Sequence, residues 1–186
     1  CYIICNMDKL KLDFLLENIH SLAFVNPFAG QRDEIEATII SQMGQTEKPW
    51  IRNSKFTNEF NQVLYWVEQG EQSLLSGMAK GYESAVRAEQ MASLAYFSLY
   101  HELVDDLDAL IESEESDLTA NRKLFKKIEA GIKKRRPLVS GGRSAMWEKP
   151  EHLFACFYQL RRAFLCLFNE IVGWSEPVRA LRVRVW

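Results

Sequence analysis

Apolar residues return every three or four positions along most of this chain, and that period restricts its fold more than any single motif does. From Asp8 to Ala23, Leu12, Leu15, Leu16, Ile19 and Leu22 share one helical face, with Lys11, Glu17 and Asn18 opposite. Asn26-Pro27 and Gly30 interrupt the pattern, because proline biases its predecessor away from helical torsions. A shorter helical run follows on Ile35, Ile39, Ile40 and Met43, and Gly44 to Ser54 reads as a loop. The period resumes with Phe56, Phe60, Val63, Leu64 and Val67, and Gly77 and Gly81 weaken it without necessarily breaking it.

The longest element is expected from Tyr82 to Ile111, on a stripe of Ala85, Ala88, Met91, Ala92, Ala95, Leu99, Leu103, Leu107 and Leu110. Acidic residues from Glu112 to Asp117 end it, and Leu118 to Ile132 forms another amphipathic segment. Pro137 to Lys149, with Gly141-Gly142 and no period, is expected to be a long loop. Pro150 suits the first turn of a last long helix whose face is Leu153, Phe154, Phe157, Leu160, Phe164, Leu167 and Phe168. Amphipathic helices joined by turns must bury their stripes against one another, so the expected fold is all-α, a multi-helix bundle. At most a minor β element is expected at the amino terminus, over Tyr2 to Ile4.

Charge narrows the function classes. Lys and Arg number 23 against 25 Asp and Glu, a formal charge of -2, so a whole-domain grip on nucleic acid is not expected, although a local patch remains open. No apolar run reaches the length of a bilayer span, and Cys1 to Cys5 lacks the features of a secretory leader, so no membrane role and a cytoplasmic location are expected. Of the four cysteines, Cys156 and Cys166 lie in an apolar helical segment and are expected in the core. Neither pair has the Cys or His neighbours of a zinc site.

Three patterns have functional readings beside structural ones. His101 and Asp105 stand one helical turn apart, so with Glu102 they either border a ligand or metal pocket or form a solvated polar face. Di-iron bundles need a Glu-x-x-His pair on each of two helices, and here Glu17-Asn18-Ile19-His20 supplies one such pair. Ser140 to Ser144 could wrap an anion or be a plain linker, and it lacks the Lys-Ser or Lys-Thr ending of a P-loop. The Lys133 to Arg136 run either grips phosphates or acidic partners or is a solvated face. His20, His101 and His152 have no nucleophile context, so acyl-transfer chemistry has no starting point and the chain is not expected to be an enzyme.

The last residues carry the most specific signal. Gly173 should break the long helix, Ser175 should cap a new one and Pro177 should sit near its first turn. Val178, Leu181 and Val185 then open a stripe that runs to the end, and the sequence is expected to continue into a larger protein. Residues 171 to 182 read Ile-Val-Gly-x-Ser-x-Pro-Val-x-x-Leu-Arg, which resembles the start of the AAA+ domain of bacterial sigma-54-dependent activators, or enhancer-binding proteins. Phe157 to Phe164 and Ala23 to Phe28 resemble a subgroup of these with a helical amino-terminal region. Trp174 stands where the family commonly has a small or acidic residue.

The resemblance implies a helical regulatory domain over residues 1–169, with 170–186 as linker and start of the AAA+ domain. It implies that Ile171, Val172 and Gly173 border an adenine pocket completed by the rest of that domain, which would bind ATP and Mg. No cofactor is expected on these residues themselves. The implied partners are the chain's own AAA+ domain and a second copy, with sigma-54 RNA polymerase and DNA reached through other domains. Two alternatives stand beside it, a helical small-ligand-binding or metal-binding bundle built on His101, Glu102 and Asp105, and a dimerisation module using the last helix.

Overall fold

A computed structural model describes residues 7–45, 55–77, 84–113, 118–139, 149–173 and 175–186. These residues form eight helices and no strand, an all-α multi-helix bundle as the periodicity requires. The helices are α1 (Lys9–Phe24), α2 (Gly30–Met43), α3 (Asn58–Leu75), α4 (Ala85–Glu102), α5 (Val104–Glu112), α6 (Leu118–Val139), α7 (Pro150–Glu170) and α8 (Glu176–Val185). The suggested β element at Tyr2 to Ile4 lies outside the described residues.

Side-chain caps start three of the helices. Asp8 accepts from the Lys11 amide at 2.8 Å, Thr57 from Phe60 at 3.1 Å and Ser84 from Arg87 at 3.3 Å, each satisfying a first-turn N–H. Pro150 lies in the first turn of α7, where its missing N–H costs nothing. Gly44 ends α2 at φ +91°, and Gly77, at φ +125°, follows the end of α3. The α3 pattern therefore stops there, and Gly81 lies outside the described residues.

Helix α1 is the inner staple of the bundle. It packs on α2, α3 and α4, and Leu12, Leu15, Leu16 and Ile19 are fully buried. They share one core with Val63, Leu64 and Val67 of α3 and Leu94, Ala95 and Leu99 of α4. Helix α4 also meets α6, and α7 packs against α5 and α6, with its Leu153 and Phe157 buried. Helix α8 touches the bundle lightly, against α7.

Four expectations need correction. The long stripe is not one helix: it breaks at Leu103 (φ −104°, ψ 1°), whose N–H bonds back to Tyr100 three residues earlier. The stripe residues from Ala88 through Leu110 stay buried across the break, because a one-residue kink preserves the spacing, whereas Ala85 is exposed. Helix α6 continues through Pro137 to Val139, its last turn held by fully buried Leu138; residues 140–148 lie outside the described part. Cys156 and Cys166 are exposed, because α7 packs through Leu153, Phe157, Arg161 and Leu167, and both thiols lie off that line. Lys133 to Arg136 is not uniformly solvated, since Arg135 is 1% exposed.

Candidate functional site

A cleft of about 750 Å³ opens between the end of α1, the start of α2, and helices α4, α5 and α7. Its size suits a small organic ligand. Phe97, Tyr100, Phe157, Phe164, Phe168 and Trp186 supply most of its aromatic wall. Part of the apolar face expected on α7 therefore lines a cavity: Phe168 is 42% exposed, while Leu153 is fully buried.

A charged cluster forms the polar side of this cleft. The Leu103 break redirects α5 so that Asp108 meets α7, where Arg161 follows Phe157 by one turn. The Arg161 guanidinium donates through Nε and Nη2 to both Asp108 oxygens at 2.5 and 2.9 Å, a bidentate fork. Lys55 donates to the same carboxylate at 2.9 Å. Burial pushes the Asp108 carboxyl up, but the hydrogen bonds from Arg161 and Lys55 outweigh it and hold the carboxyl below its ordinary range. The hydrogen bond to Asp108 likewise raises Lys55. Tyr100 accepts from Arg161, and burial raises its phenol despite that cation.

Arg32, in the first turn of α2, lies on another side of the cleft. Its Nε donates to Glu36 at 2.7 Å and its guanidinium carbon stands 4.6 Å from the centre of the Phe60 ring. Burial pushes the Glu36 carboxyl upward, and the Arg32 charge only partly offsets this.

His101 lines the cleft as well. It donates Nδ1–H to the Phe97 carbonyl at 2.8 Å, which fixes the proton on Nδ1 in the neutral ring, and it packs among Phe56, Phe60, Phe97 and Tyr100. Its sequence companions go elsewhere. Asp105 is exposed and stands 3.6 Å from Lys55, and Glu102 accepts from Arg135 at 2.7 Å. His101, Glu102 and Asp105 thus do not converge. Glu17 pairs with Arg87, and His20 contacts Ser93 at 2.9 Å. Ser93 spends its proton on the Glu89 carbonyl, so it accepts from the imidazole and is not activated as a nucleophile. Among the described residues no three His, Cys, Asp or Glu side chains are grouped to hold a metal ion. His152 is exposed at the start of α7.

Arg135 forms a second buried cluster, donating to Glu71 at 3.0 Å, Ser98 at 3.1 Å and Glu102. Lys134 adds a contact to Glu71 at 3.0 Å. Burial pulls Glu71 upward, yet Arg135, Ser98 and Lys134 bring its carboxyl below the ordinary value. This network joins α3, α4 and α6 away from the cleft.

At the end of the chain, Ile171, Val172 and Gly173 form the turn between α7 and α8. Gly173 adopts φ +121°, Ser175 caps α8 without a side-chain hydrogen bond, and Pro177 lies in its first turn. Ile171 accepts from the buried Arg182, and Val172 is 80% exposed. Asn26 donates to the Val183 carbonyl at 2.8 Å, and Phe28 stacks on Phe164 and meets Trp186 edge-on. The Val178 stripe does not turn inward: Leu181 and Val185 remain exposed, and Arg182 is the buried residue of α8.

No family model, curated protein or solved structure matches this chain. Its function therefore rests on the cleft, the terminal turn and the sequence motif there. The sequence patterns did not single out Arg161, Asp108 or Arg32 as site residues, and they marked Arg135 only as part of the Lys133 to Arg136 run. One signal was available for three charged residues: Asp108, Arg135 and Arg161 are set at core spacing, one turn from Val104, Leu138 and Phe157.

Proposed function

We propose that this chain is the sensory, regulatory region of a cytoplasmic sigma-54-dependent activator, which takes a small ligand in the α7 cleft and controls a following AAA+ ATPase. One observation carries the sensing role: Phe164 and Phe168 of α7 and Trp186 after α8 border the same cleft and flank the Ile171 to Gly173 turn. A ligand there touches α7 and Trp186 at the end of α8, on both sides of the expected start of the motor. Arg182, Asn26 and Phe28 hold α8 with a few contacts, each worth about 1 kcal/mol on the scale of single hydrogen bonds and ring pairs. A ligand preferring one docking of α8 by a few kcal/mol therefore shifts its population.

In this reading the chain does not hydrolyse ATP. ATP and Mg bind the AAA+ domain, to whose adenine pocket Ile171, Val172 and Gly173 give one border, and sigma-54 RNA polymerase and DNA are reached through other domains. The codons after Trp186 should encode a Gly-rich loop ending in Lys-Ser or Lys-Thr. Deleting the residues before Glu170 from the full-length protein should change promoter activation in a reporter assay; unchanged activation in every condition removes the regulatory reading.

A dimerisation role is the second reading, favoured by the exposed apolar residues gathered on α7 and α8, including Leu160, Phe168, Leu181 and Val185. Solution mass by light scattering separates it from a monomeric sensor.

A further inference from the structure

Arg32 differs from the other cleft cations in how it is held. Arg161 and Lys55 both spend hydrogen bonds on Asp108. Arg32 binds Glu36 through Nε, and among the described residues its two terminal nitrogens have no hydrogen-bond partner. Its guanidinium carbon lies 4.6 Å from the Phe60 ring centre, and the side chain is 24% exposed into a cleft with aromatic walls. A guanidinium held against a ring keeps its N–H edge available, and that edge matches the two oxygens of a carboxylate.

We propose that the cleft binds an organic carboxylate with an aromatic or bulky apolar body, its carboxylate seated on the terminal nitrogens of Arg32 and its body against Phe97, Phe157 and Phe164. The proposal rests on the cleft being the sensor's ligand site, and names the class of ligand. The apolar body displaces water from the aromatic wall, which supplies affinity. The charged head supplies selectivity, because Arg32 forms charge-assisted hydrogen bonds that an uncharged isostere forms less well. Glu36 competes for the same guanidinium but takes only its Nε, at 2.7 Å, which leaves the two terminal nitrogens for an entering carboxylate.

The test is titration calorimetry of the whole chain with 1-naphthaleneacetate and with its neutral isostere 1-naphthaleneacetamide. The acetate should bind saturably at about one per chain and about tenfold or more tighter than the amide, the scale of a charged hydrogen bond. Arg32→Gln should remove that preference by weakening acetate binding far more than amide binding, Arg32→Lys should retain part of it, and Glu36→Gln should tighten acetate binding more than amide binding. Opposite effects of R32Q and E36Q are not produced by a general loss of packing, and circular dichroism checks that each variant is folded. Equal binding of acetate and amide overturns the carboxylate proposal and leaves the cleft as a ligand site. Acetate binding indifferent to both substitutions also overturns it, by placing the site elsewhere. Binding of neither probe overturns the proposal together with the ligand-site reading, while the link to the AAA+ motor stays subject to its own promoter test.

Discussion

Asp108 and Arg161 stand 53 residues apart in sequence, yet their side chains are 3% and 9% exposed and form a fork. Removing one member of such a pair strands the other charge away from water. Asp108→Ala should therefore cost about 3–5 kcal/mol, and replacing both with apolar residues of similar volume should cost much less; urea unfolding of the single and double variants measures this. Acid should act through the same groups. Asp108 and Glu71 have carboxyl pKa values below ordinary ones, so the stability they contribute is complete above their unfolded values of roughly 4 and is lost as pH falls through the lower folded values. Glu36, raised by burial, works in the opposite sense and regains stability as it protonates. Urea midpoints should fall between pH 5 and pH 3, on the scale of ordinary carboxylate titration, and the fall should be smaller in D108N.

At the scale of elements, close approach sets the packing of α6 on α4 and of α3 on α1. A Cβ at Gly131 would collide with Leu99 Cδ1 and stand 3.3 Å from Arg135 Nη1, and one at Gly70 would lie 2.6 Å from Leu15 Cδ2. Alanine gains about 1 kcal/mol of helix propensity over glycine, whereas overpacking costs about 1–3 kcal/mol. Leu99 is 1% exposed and Arg135 is fixed by three partners, so neither has room to yield. Gly131→Ala should thus be net destabilising, read as a lowered melting temperature. Helical stripes, turns and caps were legible in sequence because they depend on neighbours a few residues apart: Asp8, Ser175 and Pro150 stand where α1, α8 and α7 begin. The Leu103 break was not, since residues on both sides keep the same spacing and only the packing of Val104 and Asp108 distinguishes the two courses.

Across the whole molecule, stability is uneven. Helices α1, α3 and α4 share a core of fully buried leucines and valines, whereas α8 contributes one buried residue, Arg182. Amide exchange should be slowest in α1, α3 and α4 and markedly faster in α8, without global unfolding; equal protection of α8 and α1 would contradict a lightly docked tail. That gradient suits the proposed switch, because α8 and the Trp186 wall residue that follows it are held by few contacts, whereas Phe97, Tyr100 and Phe157 of the same wall belong to the buried bundle.

Sequence alone determined that the chain is helical throughout its patterned segments and that a fresh helix starts after Gly173, because both follow from local spacing and backbone torsion. It also marked the His101 and Asp105 pair, but only tertiary packing decided that these side chains part, one into an aromatic nest and the other toward Lys55. The cleft and its Arg161–Asp108 pair belong to the tertiary structure as well, whereas Arg32 and Glu36 pair locally, one turn apart on α2. A charge at core spacing shows that a partner is needed, whereas the identity of that partner depends on which helices meet.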